Sequence, residues 1–115
     1  MNKDIQFFSA LLGAIIGFLF GKIDGLLIAL LVVIVLDYIT GLVHAKINKS
    51  LSSAVGFKGL AKKGFILAIV IVGNIVDTQI LGSGSIFRSA VICFYLANES
   101  ISILENAGNI GVPLP

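Results

Sequence analysis

Apolar residues run through this chain in four long stretches, at 5–21, 26–43, 64–81 and 86–104, each interrupted by few charges or none. About 20 apolar residues span a bilayer as a helix, so the pattern predicts four transmembrane helices. Lys22-Ile23-Asp24-Gly25 is a compact polar turn between the first two stretches, and Gly82-Ser83-Gly84-Ser85 plays the same part between the last two. The expected architecture is therefore an all-α integral membrane protein, two helical hairpins joined by the segment 45–63. The fourth stretch is the least apolar, because it holds Arg88, Asn98, Glu99 and several serines. A three-span chain with that stretch lying at the interface is the alternative. Cleavage of the first stretch as a signal peptide is disfavoured, because no small-residue cleavage pattern follows it.

Composition agrees with a bilayer solvent. Of 115 residues, 57% are hydrophobic and 12% charged, with mean hydropathy +1.09, whereas soluble domains carry about 25% charge. The segments between the stretches are too short for a soluble domain of about 50 residues, so the reading is one membrane domain over 1–115. A net charge of +2 argues against nucleic acid as a partner. Segment 45–63 holds Lys46, Lys49, Lys58, Lys62 and Lys63 and no acid. The positive-inside rule makes it cytoplasmic, which with four spans also puts both termini in the cytoplasm. Its lysines are expected to meet anionic lipid.

Ser9, Gly13, Gly17 and Gly21 recur every fourth residue, drawing one smooth stripe along the first helix. Such stripes let helix backbones approach closely in lipid. The stripe packs either on the chain's own second helix or on another copy. The second helix places Asp37, Thr40 and His44 on one face, the third carries Asn74 and Asp77, and the fourth aligns Arg88 and Glu99. Ionisable residues at such depths are functional candidates by default. Depth along the helices sets Asp77 near Arg88, an ion pair across the second hairpin. The same counting sets Asp37 level with Glu99, with His44 and Lys63 near the inner boundary. These charges either hold the register of one bundle or line a water-filled opening made by several copies.

No catalytic constellation emerges. His44 is the sole histidine, Cys93 the sole cysteine, and no serine sits in a nucleophile motif. No cofactor or metal set is expected, and the glycines near Lys62-Lys63 have the wrong order for a phosphate loop.

From Asp37 to the end the chain resembles a known family. Asp37-Tyr38-Ile39-Thr40-Gly41, Ser52-Ser53, Gly56, Gly59, Lys62-Lys63, Asp77, and Glu99 to Asn106 running on to Gly111-Val112-Pro113-Leu114-Pro115 are similar to the bacteriophage holins also described as toxin secretion/phage lysis holins. The resemblance implies a small phage or prophage protein of the host bacterium's cytoplasmic membrane. It would form homo-oligomers and open lesions that release an endolysin, without necessary direct contact, or in some relatives a toxin. A small ion or solute channel, a transporter subunit, or a membrane anchor for a partner complex is the competing expectation.

Overall fold

The computed structural model describes residues 2–115 and is helical, with no strand among them. Helix α1 spans Lys3–Phe20, α2 Gly25–Ile47, α3 Ser53–Ile75 and α4 Ile86–Ile110. A π-helical turn, Val76–Ile80, continues α3 without a break. All four helices are long and apolar enough to cross a membrane, with α3 and its π turn counting as one span of 28 residues.

Local chemistry explains where the helices begin and end. Asn2, Asp24 and Ser52 cap α1, α2 and α3, their side-chain oxygens accepting from Asp4 N, Leu27 N and Val55 N at 2.8, 3.0 and 3.1 Å. Each removes one orphan donor from a helix start. Helix α4 ends at Gly111, whose φ of 106° is the left-handed C-cap that glycine adopts most cheaply.

Three boundaries differ by more than two residues from those the hydropathy predicts. Helix α2 runs to Ile47, α4 runs to Ile110, and α3 starts at Ser53, so the expected loop 45–63 is two helix ends joined by a short connection. Lys58, Lys62 and Lys63 therefore stand on α3. Hydropathy marks where a helix meets hydrocarbon, whereas the capping serine marks where the helix begins.

Helices α2, α3 and α4 form the bundle. The widest interface is α2 against α4, followed by α3 against α4. Leu27, Leu30 and Ile34 of α2, Ile66 and Val70 of α3 and Ile92 of α4 form its buried apolar core. At Gly73 a Cβ would lie 3.2 Å from Phe87 O and 3.3 Å from the Arg88 backbone, so glycine lets α3 approach the start of α4. The bundle's outer faces are apolar and exposed, including Ile28, Val32, Val35, Ile39, Val72 and Phe94. A water-soluble protein does not leave so much contiguous apolar surface uncovered.

Helix α1 stands apart from this bundle. It touches α3, makes no packing contact with α2, and is exposed at every residue from Lys3 to Ile15. The first hairpin expected from sequence is thus not a packed pair. The reason lies in the connection, where the turn is tied to α3 and α4 instead.

Candidate functional site

Buried polar residues gather in two places, and each is saturated by partners from other helices. The first lies where α1 ends, α2 begins and α4 begins. Ser85, at the start of α4, makes no side-chain cap. Fully buried Asp77 supplies it from the π turn, its two oxygens accepting from Phe87 N and Arg88 N at 2.9 and 2.8 Å. A π turn re-aims side chains relative to the α-helical register, and here it directs a carboxylate at the positive end of a helix dipole.

The Arg88 guanidinium turns the other way. It donates from Nε to Phe20 O at 2.6 Å, from Nη2 to Lys22 O at 2.7 Å, and from Nη1 to Asp24 Oδ2 at 3.0 Å. Asn74 donates through Nδ2 to Phe18 O and Leu19 O, both at 3.0 Å. Helix ends leave carbonyls without partners, and the last turn of α1 has no basic residue of its own. Side chains of α3 and α4 satisfy it from outside. Gly21 completes the fit, since its φ is +78° and a Cβ there would sit 2.7 Å from Asn74 Oδ1. The hydrogen bond from Arg88 holds the Asp24 carboxyl below its ordinary range. The expected Asp77–Arg88 ion pair is thereby corrected. Both residues are at one depth, but Asp77 binds the Arg88 backbone while the guanidinium pairs with Asp24.

The second cluster lies deeper in the bundle. Lys63 of α3 places its ammonium between Asp37 of α2 and Glu99 of α4, bonding Asp37 Oδ2 and, at 2.5 Å, Glu99 Oε1. Asp37 and Glu99 are 5% and 3% exposed, which makes the bridge a water-poor tie between all three helices. Asn106 donates to Asp37 Oδ1 at 3.2 Å and to Thr40 Oγ1 at 3.0 Å, and Thr40 donates back to Leu36 O at 2.8 Å. Two acids and one base leave the triad with a formal charge of minus one. A cleft of about 630 Å³ opens beside it between α3 and α4.

The structure thus brings Asp37, Thr40, Lys63 and Glu99 together and separates them from Asn74, Asp77 and Arg88. His44 joins neither group and pairs with Asn48 one turn away, at 2.9 Å. Lys46, Lys49, Lys58 and Lys62 are exposed, as are Ser9, Gly13 and Gly17. Among the described residues, no atom beyond the adjacent backbone of α1 lies within 4 Å of a Cβ built on Gly13 or Gly17. Sequence reasoning missed Asn106 as a partner of Asp37 and Asp24 as the partner of Arg88. It also missed Tyr38, whose hydroxyl donates to Gly56 O at 3.1 Å and whose ring lies on Gly59. Among the described residues no group of His, Cys, Asp and Glu could hold a metal ion. The arrangement is one of charge matching and helix locking, with no nucleophile beside a base.

Comparison with known proteins adds to this picture. The model of the bacteriophage holin family matches residues 14–115. An uncharacterized Clostridium perfringens protein is 42% identical over 82 residues, covering 71% of this chain and 61% of the relative. An uncharacterized Listeria monocytogenes protein is 51% identical over 82 residues, covering 71% and 58%. A protein of Bacillus phage phi105 named probable holin is 38% identical over 81 residues, covering 70% and 59%. The chain spans about six-tenths of the length of the curated relatives it matches. No solved structure matches.

Proposed function

The chain belongs to the bacteriophage holin family, and from that premise we propose that it gathers in the host cytoplasmic membrane, associates through α1, and opens lesions through which an endolysin or a secreted toxin leaves the cytoplasm. The observation that carries this reading is the isolation of α1. Apart from its C-terminal end, which meets α3 and Arg88, α1 is unpacked, and its small-residue stripe is open at Ser9, Gly13 and Gly17; in lipid such a stripe gains contact energy by meeting another helix. A second copy offers the same stripe. Every buried side-chain polar atom in the described residues has a partner within the chain, so a single copy is closed, and charge must be rearranged before water can cross.

Orientation follows from charge. Lys3, Lys46, Lys49 and Lys58 are in or near the helix ends at 3, 47 and 53, and Lys62 and Lys63 stand further along α3 in its N-terminal half. At the other end Arg88 is paired with Asp24, leaving Lys22 as the one cation there without an ion-pair partner among the described residues. The lysine-rich end is the cytoplasmic one by the positive-inside rule, and both termini lie on that side. The exposed lysines meet anionic headgroups.

The test is induced expression in bacteria with and without a cytoplasmic muralytic enzyme lacking an export signal, following turbidity and membrane potential together. Abrupt depolarisation after a delay, with lysis only when the enzyme is present, is the expected result. Gradual depolarisation with no enzyme release would reject the proposal in favour of a channel subunit or an anchor.

A further inference from the structure

We propose that the cleft between α3 and α4 seats the headgroup of an aminophospholipid, a lipid with one phosphate and one primary ammonium. The cleft's volume of about 630 Å³ falls in the range of about 300 to 1,000 Å³ common for small-ligand sites. Lys62 and Glu105 lie toward one end, and along α3 the wall continues from Lys62 through Phe65 and Ile69, opposite Asn98 and Glu99 of α4. From the end of the bundle at Ile80 and Ile86, a rise of 1.5 Å per residue sets Lys62 and Glu105 at about 27 and 29 Å. Phe65 and Ile69 lie at about 23 and 17 Å by the same count. A hydrocarbon core is about 30 Å thick, so Lys62 and Glu105 fall at its boundary and the apolar α3 wall of the cleft falls at the depth of acyl chains.

The charges select the headgroup. Lys62 comes from α3 and Glu105 from α4, both line the cleft, and neither belongs to any of the ion pairs among the described residues. A lysine suits a phosphate, and a carboxylate accepts from an ammonium. Deeper in the cleft, Lys63 is already committed to Asp37 and Glu99, so the floor carries net negative charge. That floor repels a headgroup that is only anionic. It favours one whose cationic end lies toward α4 and Glu99, a wall residue with Lys63 as its one donor. A trimethylammonium has the charge but no N–H to donate, which leaves the primary ammonium as the better fit.

The full chain purified in detergent, offered equal amounts of phosphatidylethanolamine, phosphatidylglycerol and phosphatidylcholine and read by native mass spectrometry, tests the site. Phosphatidylethanolamine should be retained about tenfold over either of the others, a difference of about 1.4 kcal/mol. Lys62→Gln and Glu105→Gln should each erase that preference, whereas Lys58→Gln, on the same helix but outside the cleft, should keep it. Lys62→Arg and Glu105→Asp retain the charges and should retain the preference, which separates loss of the site from loss of the fold. Equal retention of the three lipids, a preference for phosphatidylglycerol, or an equal loss in Lys58→Gln would overturn the proposal. Binding of soluble phosphoethanolamine as tightly as the lipid would also overturn it, since the cleft would then serve a free metabolite. The readout involves no lysis, so failure here leaves the holin reading standing.

Discussion

Replacing Lys63 with Met removes one ammonium from between two carboxylates that are 5% and 3% exposed. The side chain that replaces it has similar length and no charge, so packing is nearly kept and the electrostatic change dominates. Removing one partner of a buried ion pair costs about 3 to 5 kcal/mol. A loss of that size is a large part of the roughly 5 to 15 kcal/mol that stabilises a domain. Removing an acid has a smaller effect, because the triad then becomes a neutral pair. Glu99 accepts one bond through one oxygen, which the carbonyl of Gln can also accept, so Glu99→Gln should stay within about 1 kcal/mol of the parent. Asp37 accepts from Lys63 on one oxygen and Asn106 on the other, so Asp37→Asn must lose one of these bonds, at about 1.5 to 3 kcal/mol. Denaturant unfolding in micelles, followed by helical circular dichroism, should rank the variants as Lys63→Met worst, Asp37→Asn intermediate and Glu99→Gln mildest. Equal damage from Glu99→Gln and Lys63→Met would refute the assignment of Lys63 as a shared cation.

Gly17→Leu should leave the single copy folded, because no other helix comes near a Cβ there, and should abolish cross-linked oligomers in membranes; undiminished cross-linking would remove α1 as the seam. Arg88→Gln forfeits the donors that hold Phe20 O, Lys22 O and Asp24, a loss of about 3 kcal/mol, and should speed proteolysis of the turn at 21–24 well beyond the parent rate. Because Arg88 lowers the Asp24 carboxyl below its ordinary 3.8, that contact contributes fully above this value and is lost as pH falls through the lower folded one. Mobility of a spin label on α1 should therefore rise below about pH 4, and Asp24→Asn should be mobile at every pH. Gly59→Val pushes a branched side chain at the Tyr38 ring, 3.3 Å from the glycine's Cβ direction, and should cost about 1 to 3 kcal/mol as overpacking, seen as faster amide exchange over 53–59.

The four helices are legible because apolar runs of bilayer length admit little else, and the meeting of Asp37 with Glu99 is legible as equal depth along α2 and α4, which run in the same direction. Depth alone misled at Arg88. It fixes the level of a side chain but not its direction around the helix, and the π turn at Val76–Ile80 shifts that direction in a way no periodicity records. Asp24 was read as a polar turn residue, yet a turn at a helix start is where a carboxylate can cap with one oxygen and receive a guanidinium with the other. Hydropathy places the start of α3 too late because the five lysines of 45–63 read as a cytoplasmic connection lying on anionic lipid. Ser52 carried the correcting signal, a cap ahead of a stretch whose charges could stand on the helix beyond the hydrocarbon. Gly56 and Gly59 carry no signal in the sequence for their role, which is to make room for Tyr38 of α2.

The separation of α1 from the bundle has a consequence for timing under the proposed function. Contacts between α1 helices of different copies require nothing of α2, α3 or α4, because α1 touches the bundle only toward its C-terminal end. Association therefore costs no buried charge and can proceed while every copy stays closed. Opening is different in kind. Helices α2 and α3 share a sparse interface, and Lys63 is the charged link across it, so parting them strands Asp37 at the cost worked out above. A step of that size is slow for an isolated copy. It becomes accessible when neighbouring copies or water supply replacement partners for Asp37, Lys63 and Glu99 together, which makes the transition depend on copy number. Lowering that step without touching α1 should shorten the delay at unchanged expression. Lys63→Met should thus depolarise cells earlier than the parent while forming oligomers equally well, and an unchanged or longer delay would break the link between the triad and the trigger.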